Sequence, residues 1–183
     1  MSNSQAFSDT GLIQRIKATV RDVPDFPKPG ILFKDITPVL SDRELFPTVA
    51  RAMAAPFANA DIRYVVGVES RGFILGAPVA VELGAGFIPV RKPGKLPYQT
   101  AVAEYALEYG TDRLEIHADA CDRGSRVLVV DDVLATGGTA AATCRLVEGL
   151  GGVVVGCSFL IVLSFLPGRA ALAGRRVESL LIY

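Results

Sequence analysis

Between residues 127 and 139 the chain reads Val-Leu-Val-Val-Asp-Asp-Val-Leu-Ala-Thr-Gly-Gly-Thr, and few folds accommodate an apolar run that meets two acids and then a glycine-rich turn. The run Val127–Val130 suits a strand buried on both faces, as in a parallel sheet, and Ala140–Leu150 reads as a helix. The turn between them has the makings of an anion cradle. Gly137 and Gly138 let backbone N–H groups approach a ligand, Thr136 and Thr139 add hydroxyl donors, and the helix N-terminus adds its positive end. The turn has no lysine, so it is not the P-loop of nucleoside triphosphates, and it lacks the G-x-G-x-x-G dinucleotide turn. A monophosphate cradle preceded by two carboxylates remains, and a phosphorylated ribose would satisfy both halves.

The rest of the chain supplies a setting for that motif. Leu12, Ile13, Ile16 and Val20 recur at helical spacing. Residues 23–38 carry Pro24, Pro27, Pro29, Gly30 and Pro38, which excludes helix and predicts a rigid loop. Helices are expected over Glu44–Ala58 and Arg71–Leu83, and strands over Tyr64–Val68, Phe87–Val90, Leu114–His117, Val153–Leu163 and Val177–Ile182. Pro93–Tyr109 is a long insertion with a weak hairpin pattern. Alternating strands and helices predict an α/β fold, a doubly wound, mainly parallel sheet flanked by helices, within a single domain spanning 1–183. Ligands of such sheets sit beyond the carboxyl ends of the strands, so the loops after Val68, Val90 and Val130 should converge.

Two of those loops carry matching chemistry. Ser70-Arg71-Gly72 places a guanidinium at a turn entering a helix, suited to gripping a pyrophosphate. Arg91-Lys92-Pro93-Gly94-Lys95 offers a second set of cations, readable as a polyanion-binding loop or as a solvated charge run. The insertion ends near Glu108 and Tyr109, a composition suited to a lid that excludes water, and Glu108 could share a proton with a nucleobase nitrogen.

Composition narrows the remaining classes. Hydrophobic residues make up 50% of the 183 and the formal net charge is zero, which argues against disorder and against nucleic acid as the main partner. Cys121, Cys144 and Cys157 have no C-x-x-C spacing and fit reduced thiols, with Cys144 and Cys157 packing as small hydrophobes. His117 is the only histidine, expected at a solvated strand position, so multi-histidine metal sites are unavailable. Residues 1–20 have no apolar signal core, and the run 153–163 is too short to span a bilayer, which points to a cytoplasmic chain without a membrane segment.

The Asp131–Thr139 stretch resembles the phosphoribosyl-pyrophosphate motif of the type I phosphoribosyltransferases. Together with Asp25–Pro38, Glu69-Ser70-Arg71-Gly72-Phe73, Arg91–Pro97 and Leu107-Glu108-Tyr109-Gly110, it makes almost the whole chain similar to the adenine phosphoribosyltransferases. That resemblance implies transfer of 5-phosphoribose to adenine, giving AMP and pyrophosphate, with Mg2+ carried by phosphoribosyl pyrophosphate and no metal held by the protein alone. It implies phosphoribosyl-pyrophosphate contacts from Ser70, Arg71, Arg91, Lys95, Asp131, Asp132, Ala135, Thr136, Gly137, Gly138 and Thr139. It implies a base-binding hood over about 23–38 with Leu32, Phe33 and Lys34, a further adenine contact from Val133, and a catalytic flap over about 93–110. Glu108 and Arg71 would be the catalytic groups, and the family implies a homodimer. The alternatives are a phosphoribosyltransferase for another purine, and a regulator that senses phosphoribosyl pyrophosphate.

Overall fold

The computed structural model describes residues 9–106 and 111–183, which fall into two compact units, Met1–Val49 and Ala50–Tyr183. Glu108, with Leu107, Tyr109 and Gly110, lies outside the described residues.

The first unit opens with α1 (Asp9–Thr19), whose Ile16 is fully buried. The proline-rich stretch is not wholly irregular. It holds a small antiparallel hairpin, β1 (Arg21–Pro24) and β2 (Leu32–Asp35), closed by a turn in which the Gly30 N–H donates to Asp25 Oδ1 at 2.7 Å. Prolines fit because they sit in the turn and at a strand end, where no ladder donor is needed. The stretch also enters a helix, α2 (Thr37–Ser41), with Pro38 in its first turn, where a missing N–H costs nothing. Asp42 then accepts the Glu44 and Leu45 N–H groups, each at 2.9 Å, at the start of α3 (Leu45–Ala54), and Arg15 reaches Asp42 at 3.1 Å.

The second unit is built on a five-stranded, all-parallel sheet. Its strands are β3 (Tyr64–Val68), β4 (Gly86–Val90), β7 (Arg126–Leu134), β8 (Val153–Val162) and β9 (Val177–Ile182), in the order β4-β3-β7-β8-β9. The order reverses between β3 and β7, the kind of position where such sheets bind ligands. Helix α4 (Arg71–Leu83) packs on β3 and β7, and α5 (Gly138–Gly149) packs on β7 and β8. Val66, Val68, Ile88 and Val90 share one buried cluster with Ala142, Leu146 and Val147 of α5. Ser158, buried in β8, donates to the Met53 carbonyl at 3.0 Å.

Three expectations shift. The motif strand does not stop at Val130 but continues through both acids to Leu134, because β8 pairs with it as far as Val162. Leu114–His117 does not join the main sheet. It belongs to β6 (Thr111–His117), which pairs antiparallel with β5 (Thr100–Ala106), so the hairpin extends past the expected insertion. His117 is not a solvated position: it is half-buried, near the Tyr98 ring, and its Nε2 is buried without a hydrogen-bond partner among the described residues. A short helix, α6 (Gly168–Ala171), was not anticipated. Among the described residues no helix is long and apolar enough to cross a membrane.

Candidate functional site

Strands β4, β3 and β7 end side by side, with Val68 opposite Val90 and Gly67 opposite Val130. The loops after Val68 and Val90 therefore leave the sheet as neighbours, beside the acids of β7. The Glu69 N–H donates to the Val90 carbonyl at 2.9 Å, which joins the first two loops at their roots. The Glu69–Ser70 peptide is cis.

Arg71, the first residue of α4, donates through Nε to Asp132 Oδ2, so the loop after β3 and the acid pair meet directly. Asp132 is buried, while the Arg71 side chain keeps 45% of its exposure. Asp131 is half-buried and its Oδ1 accepts the Asp132 N–H at 2.9 Å. A Cβ on Gly72 would lie 2.9 Å from that same Oδ1, so the glycine after Arg71 is what admits the carboxylate. Burial, then the Asp132 carboxylate beside it, push the Asp131 carboxyl well above its ordinary range.

The turn that follows is shaped by Gly137, which caps α5 at a left-handed φ of +83°. A Cβ there would also lie 2.7 Å from Ala171 Cβ and 2.8 Å from the Gly168 carbonyl, so α6 buttresses the turn from behind. Gly138 and Thr139 open α5, where N–H groups lack intrahelical acceptors and the dipole is positive. Ala135 and Thr136 span the gap from β7, with Thr136 exposed. Val133 is half-buried near the end of β7.

The basic loop is tied down more firmly than a solvated charge run would be. Glu69, only 12% exposed, accepts Arg91 Nε at 3.0 Å, the Lys92 N–H at 3.1 Å and Lys95 Nζ at 2.7 Å. The Arg91 backbone exchanges hydrogen bonds with Glu115 of β6, and the Gly94 N–H donates to Glu115 Oε2 at 3.1 Å. Lys92 pairs with Asp112 and donates to the Tyr105 hydroxyl at 3.2 Å, so the loop also holds the β5–β6 hairpin. Glu69, Asp112 and Glu115 carried no role in the sequence reading, and Lys92 was read only as one cation of the loop. The available signal was one acid at the end of β3 and a cation-rich loop after its neighbouring strand.

Leu32, Phe33 and Lys34 lie on β2 of the first unit. Phe33 stacks edge-on to Phe26 with ring centroids 5.1 Å apart, Lys34 Nζ donates to Asp22 Oδ1 at 2.6 Å, and Leu32 is 51% exposed. Beyond β1, no described strand pairs with β2.

Among the described residues no group of three or more His, Cys, Asp or Glu side chains could hold a metal. The Cys144 and Cys157 sulfurs lie 3.8 Å apart, both buried, on α5 and β8.

Residues 40–172 match the phosphoribosyl transferase domain family. The chain is 59% identical to an adenine phosphoribosyltransferase of Myxococcus xanthus over 97% of both chains. The crystal structure of the Rhodothermus marinus adenine phosphoribosyltransferase superposes with a TM-score of 0.91 at 56% identity, covering 95% of this chain and 99% of that one. The Saccharomyces cerevisiae adenine phosphoribosyltransferase, solved with an imino-altritol bisphosphate and adenine, gives 0.89 at 41% identity, covering 93% and 99%. On this near full-length likeness, the chain belongs to the phosphoribosyltransferases, and among them to the adenine phosphoribosyltransferases.

Proposed function

We propose that the loops at the carboxyl edge of β4, β3 and β7 carry out adenine phosphoribosyl transfer in purine salvage: phosphoribosyl pyrophosphate and adenine give AMP and pyrophosphate. The observation that carries the reading is the meeting of Arg71 with Asp132 beside Asp131 and the Gly137 turn, in a chain that matches this family nearly end to end. In this reading both units act as one phosphoribosyltransferase domain.

The 5′-phosphate takes the Ala135–Thr139 turn, where backbone donors and a helix N-terminus favour an anion. Asp131 and Asp132 accept hydrogen bonds from the ribose hydroxyls. Ser70, Arg71, Arg91 and Lys95 face the pyrophosphate and offset its charge as the C1–O bond loosens and positive charge develops on the ribose. Mg2+ would arrive carried by phosphoribosyl pyrophosphate, whose phosphate oxygens are the hard donors it takes, while Asp131 and Asp132 stay with the ribose hydroxyls. The ion supplies further neutralisation of the leaving group.

Adenine is read by the hood, with Phe33 stacking on the ring, Val133 covering the other face, and backbone groups around Leu32 and Lys34 meeting the Watson–Crick edge. One C=O and one N–H on an extended backbone match the 6-amino donor and the N1 acceptor of adenine. Glu108 serves the N7/N9 side of the base. The enzyme works as a cytoplasmic homodimer, which size-exclusion chromatography with light scattering checks.

The test is a steady-state assay with phosphoribosyl pyrophosphate, magnesium and, separately, adenine, hypoxanthine, guanine or xanthine. AMP from adenine alone is expected. Turnover of a 6-oxo purine would overturn the base assignment, and binding of phosphoribosyl pyrophosphate without turnover of any base would favour a sensor. Glu108→Ala should lower kcat more than it raises the KM for adenine.

A further inference from the structure

We propose that Glu69 is a positioning residue that sets Arg91 and Lys95 for pyrophosphate, an inference resting on the reading above. Glu69 is the residue between β3 and Arg71, and it uses both carboxylate oxygens. Oε1 takes Lys95 Nζ at 2.7 Å, while Oε2 takes Arg91 Nε at 3.0 Å and the Lys92 N–H at 3.1 Å. These three donors span the basic loop from end to end, and all lie in the same unit as Glu69. Burial pushes the Glu69 carboxyl up, but Lys95, the Lys92 N–H and Arg91 outweigh it and hold it below its ordinary value.

This arrangement orients the cations without consuming them. Arg91 gives Nε to Glu69 and Nη1 to the Lys95 carbonyl at 3.1 Å, so its guanidinium plane is fixed by two of its five N–H donors. The Lys95 side chain remains 49% exposed and has three donors, one of which goes to Glu69. Long cationic side chains lose rotamer freedom when they grip an anion, and a buried carboxylate that fixes them beforehand reduces that loss. Glu69 is itself fixed, because its N–H is bound to the Val90 carbonyl at the root of the basic loop. The segment that presents Arg71 and the loop that presents Arg91 and Lys95 thus share one anchor.

Glu69→Gln keeps an oxygen for the Lys92 N–H but removes the charge that holds two cations. The KM for phosphoribosyl pyrophosphate in the forward reaction, and for pyrophosphate in the reverse one, should each rise about tenfold or more, as for other residues that orient a binding group. The KM for adenine and the thermal midpoint should stay near the wild-type values. Glu69→Asp should recover part of the loss, since it restores the charge at shorter reach. An unchanged KM for both pyrophosphate-bearing substrates, or a fall in it, would overturn the proposal; a fall would make Glu69 a competitor for the cations. An equal loss for adenine would reduce Glu69 to a structural part. Wild-type enzyme assayed alongside separates these outcomes from failure of the adenine reading, which would appear as absent AMP formation before any substitution is made.

Discussion

Asp131 and Asp132 are neighbours in the chain but face different surroundings. Asp132 is buried and paired with Arg71, whereas the Asp131 carboxylate lies against Gly72 and accepts the Asp132 N–H. The raised Asp131 carboxyl means that the folded chain holds a proton there which the unfolded chain has released. Stability therefore falls as pH rises from the ordinary carboxylate value through the raised folded value. Asp131→Asn should remove that fall, which thermal midpoints measured from acid to neutral pH would show. The same substitution should raise the KM for phosphoribosyl pyrophosphate about tenfold or more, as expected for a lost charged acceptor. Gly137→Ala is the sharpest test of the cradle's shape. It adds a left-handed residue and a contact with Ala171, and should cost roughly 1–3 kcal/mol in urea unfolding.

At the scale of elements, the β5–β6 hairpin and the basic loop form one assembly joined by the Lys92, Tyr105 and Asp112 cluster. Lys92 first, and then the Arg113 N–H and the Tyr105 hydroxyl, outweigh burial and lower the Asp112 carboxyl. The stabilisation this gives is complete above the ordinary carboxylate value and is lost as pH falls through the lowered one. Asp112→Asn should make hydrogen exchange of the hairpin amides less sensitive to acid, measured between neutral pH and about pH 3, below the ordinary carboxylate range. The sequence showed the hairpin only as a weak pattern in an insertion. Its second strand buries one face as a sheet strand does, since Leu114 and Ile116 are in the cluster that contains Val66 and Leu146. Periodicity reports that a face is buried, not which strand lies beside it.

Across the whole molecule, stability rests on the parallel sheet. Leu160 is fully buried in β8, and Leu160→Ala should cost about 2–5 kcal/mol in denaturant unfolding while leaving the KM values of the surviving folded enzyme near wild type. Strands β3 and β9 and helix α4 fall at the expected residues, because each is a dense apolar run bounded by glycine, charge or a turn. Length and local pattern were enough to give the fold class, since alternating strands and helices that must bury both faces of a sheet leave little choice. The sequence also showed the anion-binding turn, because a strand, two acids, hydroxyls and glycines are contiguous. Only the tertiary structure decided how far β7 runs, because the partner strand β8 supplies the ladder that carries it past the acids. Only the tertiary structure identified Glu69 as the anchor of Arg91 and Lys95. Those residues are more than twenty positions apart, and no local rule links an acid to cations that a neighbouring parallel strand delivers to the same edge.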